Sequence, residues 1–354
     1  MHSIIRDIFS MINTAASERI NYLDGMRGFA ALAVAIMHFP IDNWFTNNPF
    51  FVNSYLAVDL FFVLSGYIIA KLYYAQSDQL KFLRHRFARI APIFYLTLFI
   101  GIVLEVMKFV FPDIASSGPF EGRNTLSSLL LEITAIHALP FVTNTSFNPP
   151  NWSISAEMFA YLLFAALMKV AYPRRILIWL TIFLMCALYF PNVLHLNDAH
   201  GLAIYRCLFG FSAGVLIWYS LDQLPMVQKW LPKISNIGFG GATFFLGFYI
   251  YQGGLDFLPP AVIFGLYLLV AFQSDCSLRE HLFSNRIAIF LGEISLSLYL
   301  IHFFIAMRFE EINLLLVDDL DNPLLLVLAY LFVVLVVSTM LNKYFEKPAR
   351  ILLR

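Results

Sequence analysis

The chain has 354 residues, of which 60% are hydrophobic, 17% aromatic and only 13% charged, and its mean hydropathy is +0.74. A soluble globular chain carries about one quarter charged residues, so this composition points to a membrane. Formal net charge is zero with no block of like charges, which excludes the electrostatic footprint of a nucleic-acid binder.

The first 20 residues lack a long apolar core and read as a short amphipathic entry segment rather than a cleavable signal. Apolar windows follow near 28–45, 52–74, 90–111, 125–143, 152–172, 176–191, 201–220, 234–252, 257–273, 287–307 and 323–343. Charge bias decides which of them span. The link after the second window carries Lys71, Lys81, Arg84, Arg86 and Arg89, which places it in the cytoplasm, and the loop 41–53 has no Lys or Arg and lies outside. The window 125–143 contains Glu132, His137 and Pro140. If it crossed, Arg174, Arg175 and the later basic residues would fall outside; if it stays at the outer interface or re-enters, nearly all of them fall inside. The expectation is therefore an all-α polytopic membrane helical bundle with about ten transmembrane helices. An outer segment spans about 112–151, and both termini are cytoplasmic. Residues 1–354 are expected to form one integral membrane domain without an appended soluble domain. Cys186, Cys207 and Cys276 are scattered and offer neither a disulfide frame nor a metal spacing, so no metal is expected.

Ionisable residues inside apolar runs mark functional sites by default. Arg27 opens the run 23–39 and His38 lies eleven residues deeper, roughly 16 Å along a helix, or half the hydrocarbon thickness. A lone histidine on an apolar face is more often a packing residue. Here, however, Asp59 lies at a similar depth in the second window, where a carboxylate beside the imidazole would raise its basicity. Arg84, Arg86 and Arg89 crowd the mouth of the third span. They serve either as topology signal and lipid contact or, with Arg27, as a cradle for phosphate. Trp152 and Glu157 stand at an outer span entrance, where an aromatic anchor and a helix-start carboxylate are the plain alternatives. Ser295, Ser297, Tyr299 and His302 follow one another in the run 287–307, where interhelical hydrogen bonding competes as an explanation. Arg206 is a further buried charge that needs a partner.

Five stretches in order, "YLDGMRGFAALAVAIMHF", "VDLFFVLSGYII", "RFARIAP", "PNWSISAE" and "LGEISLSLYLIH", resemble the acyltransferase family 3 of integral membrane acyltransferases. That family includes bacterial polysaccharide and lipopolysaccharide O-acetylases. The resemblance covers about residues 20–345. It implies an inner-membrane enzyme that moves an acyl group, usually acetyl from cytoplasmic acetyl-CoA, to a hydroxyl of a cell-envelope glycan or glycolipid. Carried over by position, Arg27 and His38 match the family's essential Arg–His pair. Phe61, Phe62, Ser65 and Gly66 match its second-span motif, and Arg86 and Arg89 its basic motif. Trp152, Ser153 and Glu157 match the outer-loop motif, while Leu296 stands where the family commonly has Tyr. The expected arrangement then has Arg27, Arg84, Arg86 and Arg89 holding acyl-CoA as co-substrate, with no permanently bound cofactor. His38 serves as general base, Asp59 as its orienter, and Ser65, Tyr299 or His302 as oxyanion donor. Trp152, Glu157 and Arg206 border the acceptor, and membrane lipids are the remaining partners. A covalent acyl-histidine is the variant mechanism. The rival reading is a proton-coupled transporter or flippase of a lipid-linked glycan, with His38, Asp59, Arg206 and Glu293 as its pathway.

Overall fold

The computed structural model describes residues 20–354 apart from 113–117, 141, 143–146, 190–198, 225, 227–228, 230–232, 256–257, 275 and 316–321. The expected amphipathic entry segment lies outside the described residues. The fold is 80% helical, and the described residues contain no strand. In chain order the helices are α1 (Asn21–Met37), α2 (Pro49–Val52), α3 (Ala57–Tyr73), α4 (Gln79–Val110), α5 (Leu126–Ile133), α6 (Asn151–Leu167) and α7 (Tyr172–Tyr189). They continue as α8 (Ala199–Trp218), α9 (Asn236–Tyr251), α10 (Pro260–Gln273), α11 (Ser277–Phe283), α12 (Arg286–Leu315), α13 (Pro323–Leu341) and α14 (Lys347–Leu353).

Six segments among the described residues are long and apolar enough to cross a membrane: Pro49–Tyr73, Gln79–Val110, Tyr172–Tyr189, Leu202–Gln223, Arg286–Phe309 and Leu324–Leu353. The count of about ten is not established. The other four windows form α1, α6, α9 and α10, of 17, 17, 16 and 14 residues. At 1.5 Å per residue these reach only about 21–26 Å, short of a full hydrocarbon layer. For α1 the cause is visible in the sequence, because Pro40 lacks the N–H to extend the ladder and disfavours helical backbone just before it. The window 125–143 yields only the eight-residue α5, about 12 Å long, which stops at Ile133, two residues before Ala135 with its φ of 54°.

Two close helix crossings set the frame. Helix α1 lies on α12 at Gly28, where a Cβ would come within 2.5 Å of the Gly292 backbone nitrogen. Helix α3 crosses α8 at Gly214, where a Cβ would stand 2.6 Å from the Tyr67 nitrogen. Apolar lipid gives helices no hydrophobic reason to associate, so small residues that let backbones meet supply the packing energy instead. The first crossing carries Arg27 to the lower half of α12 and His38 to its upper half. Around the upper half a separate core gathers Ala35, Phe39, Leu298, Ala306, Tyr330 and Val334 from α1, α12 and α13.

Candidate active site

Between α1, α3, α4, α6 and α12 lies a cavity. Along α3 its wall runs from Val58 to Ile69, roughly 16 Å by helical rise. One end is cationic, with Arg27, Arg86 and Arg89 in the lining; the other is formed by Phe61, Ser153 and Tyr299, with Ser65, Glu157 and Tyr161 between.

The three arginines are held differently. Arg27 donates from Nε to Ser295 Oγ and from Nη2 to the Gly292 carbonyl, each at 2.9 Å, and pairs with Asp24 at 3.1 Å. Arg86 donates to the Tyr73 hydroxyl at 3.1 Å, and its guanidinium lies 4.9 Å from that ring. Among the described residues neither Arg86 nor Arg89 has a carboxylate within ion-pair distance. Their guanidinium groups are therefore able to take an anion. Arg84 does not join them. It is exposed and donates to the Leu353 carbonyl at 2.9 Å, closing the end of α14. Residues two apart on a helix point about 200° away from each other, so Arg84 and Arg86 cannot share a face.

Midway along the cavity the Tyr161 hydroxyl donates to Glu157 at 2.5 Å and stands 3.3 Å from Ser65 Oγ. At the far end the Tyr299 hydroxyl meets Ser153 Oγ at 2.9 Å. Tyr161 escaped the sequence reading, yet its i+4 spacing from Glu157 places both on one helix face.

Beyond Tyr299 sits a histidine pair outside the cavity wall. The His302 ring centroid is 6.0 Å from that of Tyr299, and His38 Nδ1 lies 3.2 Å from His302 Nε2. The surrounding carbonyls fix the protons. His302 Nδ1 faces the Leu298 carbonyl at 3.2 Å, and His38 Nδ1 faces the Val34 carbonyl at 3.0 Å. A carbonyl only accepts, so each Nδ1 carries the hydrogen in the neutral rings. The one hydrogen on His38 Nδ1 is then shared between the Val34 carbonyl and the acceptor His302 Nε2, and His38 Nε2 carries no hydrogen. This arrangement fixes both rings and engages the His302 Nδ1–H with the Leu298 carbonyl.

The expected Asp59–His38 contact does not form. Both carboxylate oxygens of Asp59 are occupied by Arg206, Oδ2 at 2.5 Å from Nη2 and Oδ1 at 3.3 Å from Nε. The two side chains are only 4% and 3% exposed, and the guanidinium also reaches the Tyr55 carbonyl at 3.2 Å. Trp152 covers it, 5.3 Å from its ring, and packs edge-on against Phe62. Arg206 is thus packed into a buried charge pair beneath Trp152, which is itself partly buried. Depth along a helix was readable from sequence; the direction in which each side chain points was not.

The segment carrying α5 is tied to the bundle through buried polar side chains. Glu132 is fully buried and accepts from Asn151 Nδ2 at 2.6 Å and from the Phe147 N–H at 2.9 Å. Burial lifts its carboxyl to about 7, against the pull of those hydrogen bonds. His137, stacked on Phe94, is pushed down to about 4, again mainly by burial. Asn148 donates to the Leu300 carbonyl at 2.8 Å, two residues from His302.

Residues 20–343 match the family described as Acyltransferase domain. The chain belongs to that family. Over 330 residues, 79% of this chain and 49% of the relative, it is 24% identical to the O-acetyltransferase OatA of Staphylococcus aureus. It is 29% identical over 153 residues to the acyltransferase MdmB of Streptomyces mycarofaciens, covering 41% of this chain and 38% of that protein. It is 45% identical over 86 residues to protein 2 in the picA locus of Rhizobium radiobacter, covering 23% and 43%. The chain spans half or less of the length of these curated relatives. No solved structure matches it.

Proposed function

We propose that the chain is a membrane O-acyltransferase that moves an acyl group, acetyl in the first instance, from cytoplasmic acyl-CoA to a hydroxyl of a cell-envelope glycan or glycolipid. One observation carries the reading: a cavity runs from Arg86 and Arg89, which have no carboxylate partner among the described residues, to Tyr299, and His302, the partner of His38, lies just behind that tyrosine. Arg86, Arg89 and Arg27 take the phosphates of CoA, and its thin thioester arm lies along α3 past Ser65 and Glu157. His38 Nε2 removes the proton of the acceptor hydroxyl as that oxygen attacks the thioester carbonyl. The new C–O bond forms, the C–S bond breaks, and the departing CoA thiolate takes the proton back from the imidazolium. The Tyr299 and Ser153 hydroxyls are the donors closest to where the oxyanion develops. Residues 1–354 act as one domain in the bacterial inner membrane with both termini in the cytoplasm, so the donor never crosses the bilayer.

The transporter alternative needs His38, Asp59, Arg206 and Glu293 as a pathway. Asp59 and Arg206 instead neutralise each other, and Glu293 pairs with Lys347 at 3.3 Å, both partly open to solvent. The test uses sealed membrane vesicles of opposite orientation and acetyl-CoA labelled in the acetyl group. Label enters membrane glycan only where the cytoplasmic face points outward. Equal incorporation by sealed vesicles of the other orientation overturns the cytoplasmic donor; incorporation by neither, with any acyl-CoA tried, overturns the acyltransferase reading.

A further inference from the structure

Helix α1 ends just below His38, and its last carbonyls need donors. The His38 N–H reaches the Val34 carbonyl at 3.2 Å, while the Phe39 N–H turns back to Ile36 at 3.1 Å. In a continuing α-helix the Phe39 N–H would serve Ala35, so the Ala35 carbonyl is left without its intrahelical partner. The donor comes from another helix. The Tyr330 hydroxyl on α13 meets the Ala35 carbonyl at 3.0 Å and stands 3.4 Å from the carbonyl of His302. A phenol has one hydrogen, so Ala35 is the principal acceptor and His302 shares it at longer range. Tyr330 is completely buried, its ring 5.2 Å from Phe39 and 5.6 Å from Phe309.

We infer that Tyr330 is a positioning residue for the histidine pair. It touches neither histidine ring. It fixes the turn that presents His38 and, through the same hydroxyl, the point on α12 that carries His302. The reason is local: neither lipid nor apolar core can satisfy an orphan carbonyl, so without the hydroxyl the end of α1 must shift to find another donor. A displacement of about 1 Å at a catalytic group is enough to cost on the order of 100-fold in rate. None of the five sequence motifs contains Tyr330, because its part is played through two backbone carbonyls.

This inference rests on His38 being the base, and its test separates the two. Full-length protein in lipid nanodiscs is compared as wild type, Tyr330→Phe and Tyr344→Phe, the last altering an exposed tyrosine as control. Rates are normalised to folded protein. Tyr330→Phe, which keeps the packed ring, is expected to lower kcat about 10- to 100-fold with KM for acetyl-CoA within about twofold of wild type. A kcat within about twofold of wild type, or a loss confined to KM, overturns the inference. The second readout needs no activity: the rate at which diethyl pyrocarbonate modifies His38, measured by mass spectrometry against the exposed His281. Tyr330→Phe is expected to raise that ratio severalfold by freeing the turn, whereas Tyr344→Phe leaves it unchanged. An unchanged ratio in Tyr330→Phe overturns the positioning role even if the wild type transfers no acetyl group, an outcome that by itself would sink only the acyltransferase reading.

Discussion

Removing Asp59 separates a structural carboxylate from a catalytic one. In Asp59→Ala the Arg206 guanidinium, 3% exposed, loses the carboxylate at 2.5 Å that balances its charge. With charge centres about 4 Å apart and an effective dielectric near 20, the lost attraction is about 4 kcal/mol. Breaking a buried pair from one side costs about 3–5 kcal/mol because the stranded charge stays desolvated. Arg206→Met strands the carboxylate and is expected to cost a similar amount. The double variant Asp59→Leu with Arg206→Met removes both charges, so it should regain most of the loss. The assay is thermal unfolding of detergent-purified protein, monitored by loss of the monodisperse species, with activity per folded molecule measured across pH. Both single variants should unfold earlier, the double variant close to wild type, and the pH–rate profile of the surviving protein should not move. A variant Asp59→Ala that unfolds like wild type yet shifts the pH profile would refute this reasoning and return Asp59 to His38.

The arginine mouth gives a second prediction: Arg89→Ala raises KM for acetyl-CoA about tenfold, the loss of one charge-assisted contact, whereas Arg84→Ala changes it less than about twofold. Steady-state kinetics at low and physiological salt decide the matter, and equal effects of the two would dissolve the cradle. Glu132 predicts a stability slope. Its folded carboxyl sits near 7 against an ordinary 4.5, so the folded state holds the extra proton between those values. Its contribution is therefore fully present below pH 4.5 and is lost as pH rises through about 7, a change on the order of 3 kcal/mol at most. Glu132→Gln should flatten that slope in unfolding midpoints taken from pH 5 to 8; an unchanged slope would assign it to other groups.

Much of the site was legible because charge in oil is costly enough to advertise itself. Arg27, His38, Asp59 and Arg206 each stood out in apolar runs, and each proved to have a partner within 3.3 Å. The pairing was the illegible part. Rise per residue put Asp59 at a depth similar to that of His38, yet Asp59 pairs with Arg206 across the α3–α8 contact, where Gly210 faces it, and His38 meets His302 across the α1–α12 contact. The segment 125–143 was read as non-spanning from the side on which Arg174, Arg175 and the later basic residues would fall, but the anchoring nearby through Asn148 to Leu300 was not legible, since an amide bonding a backbone carbonyl leaves no side-chain pattern. Arg84 could have been set aside by helical phase alone, being two residues from Arg86 where Arg89 is three.

The central claim is that His38 acts as the base of an acyl transfer, and radiolabelled acetyl-CoA tests it most directly. Membranes carrying matched amounts of folded wild type or His38→Ala are given the donor with their cytoplasmic face accessible, and label in envelope glycan is counted. Wild type is expected to incorporate label and His38→Ala to fall to background. Equal incorporation by both would contradict it.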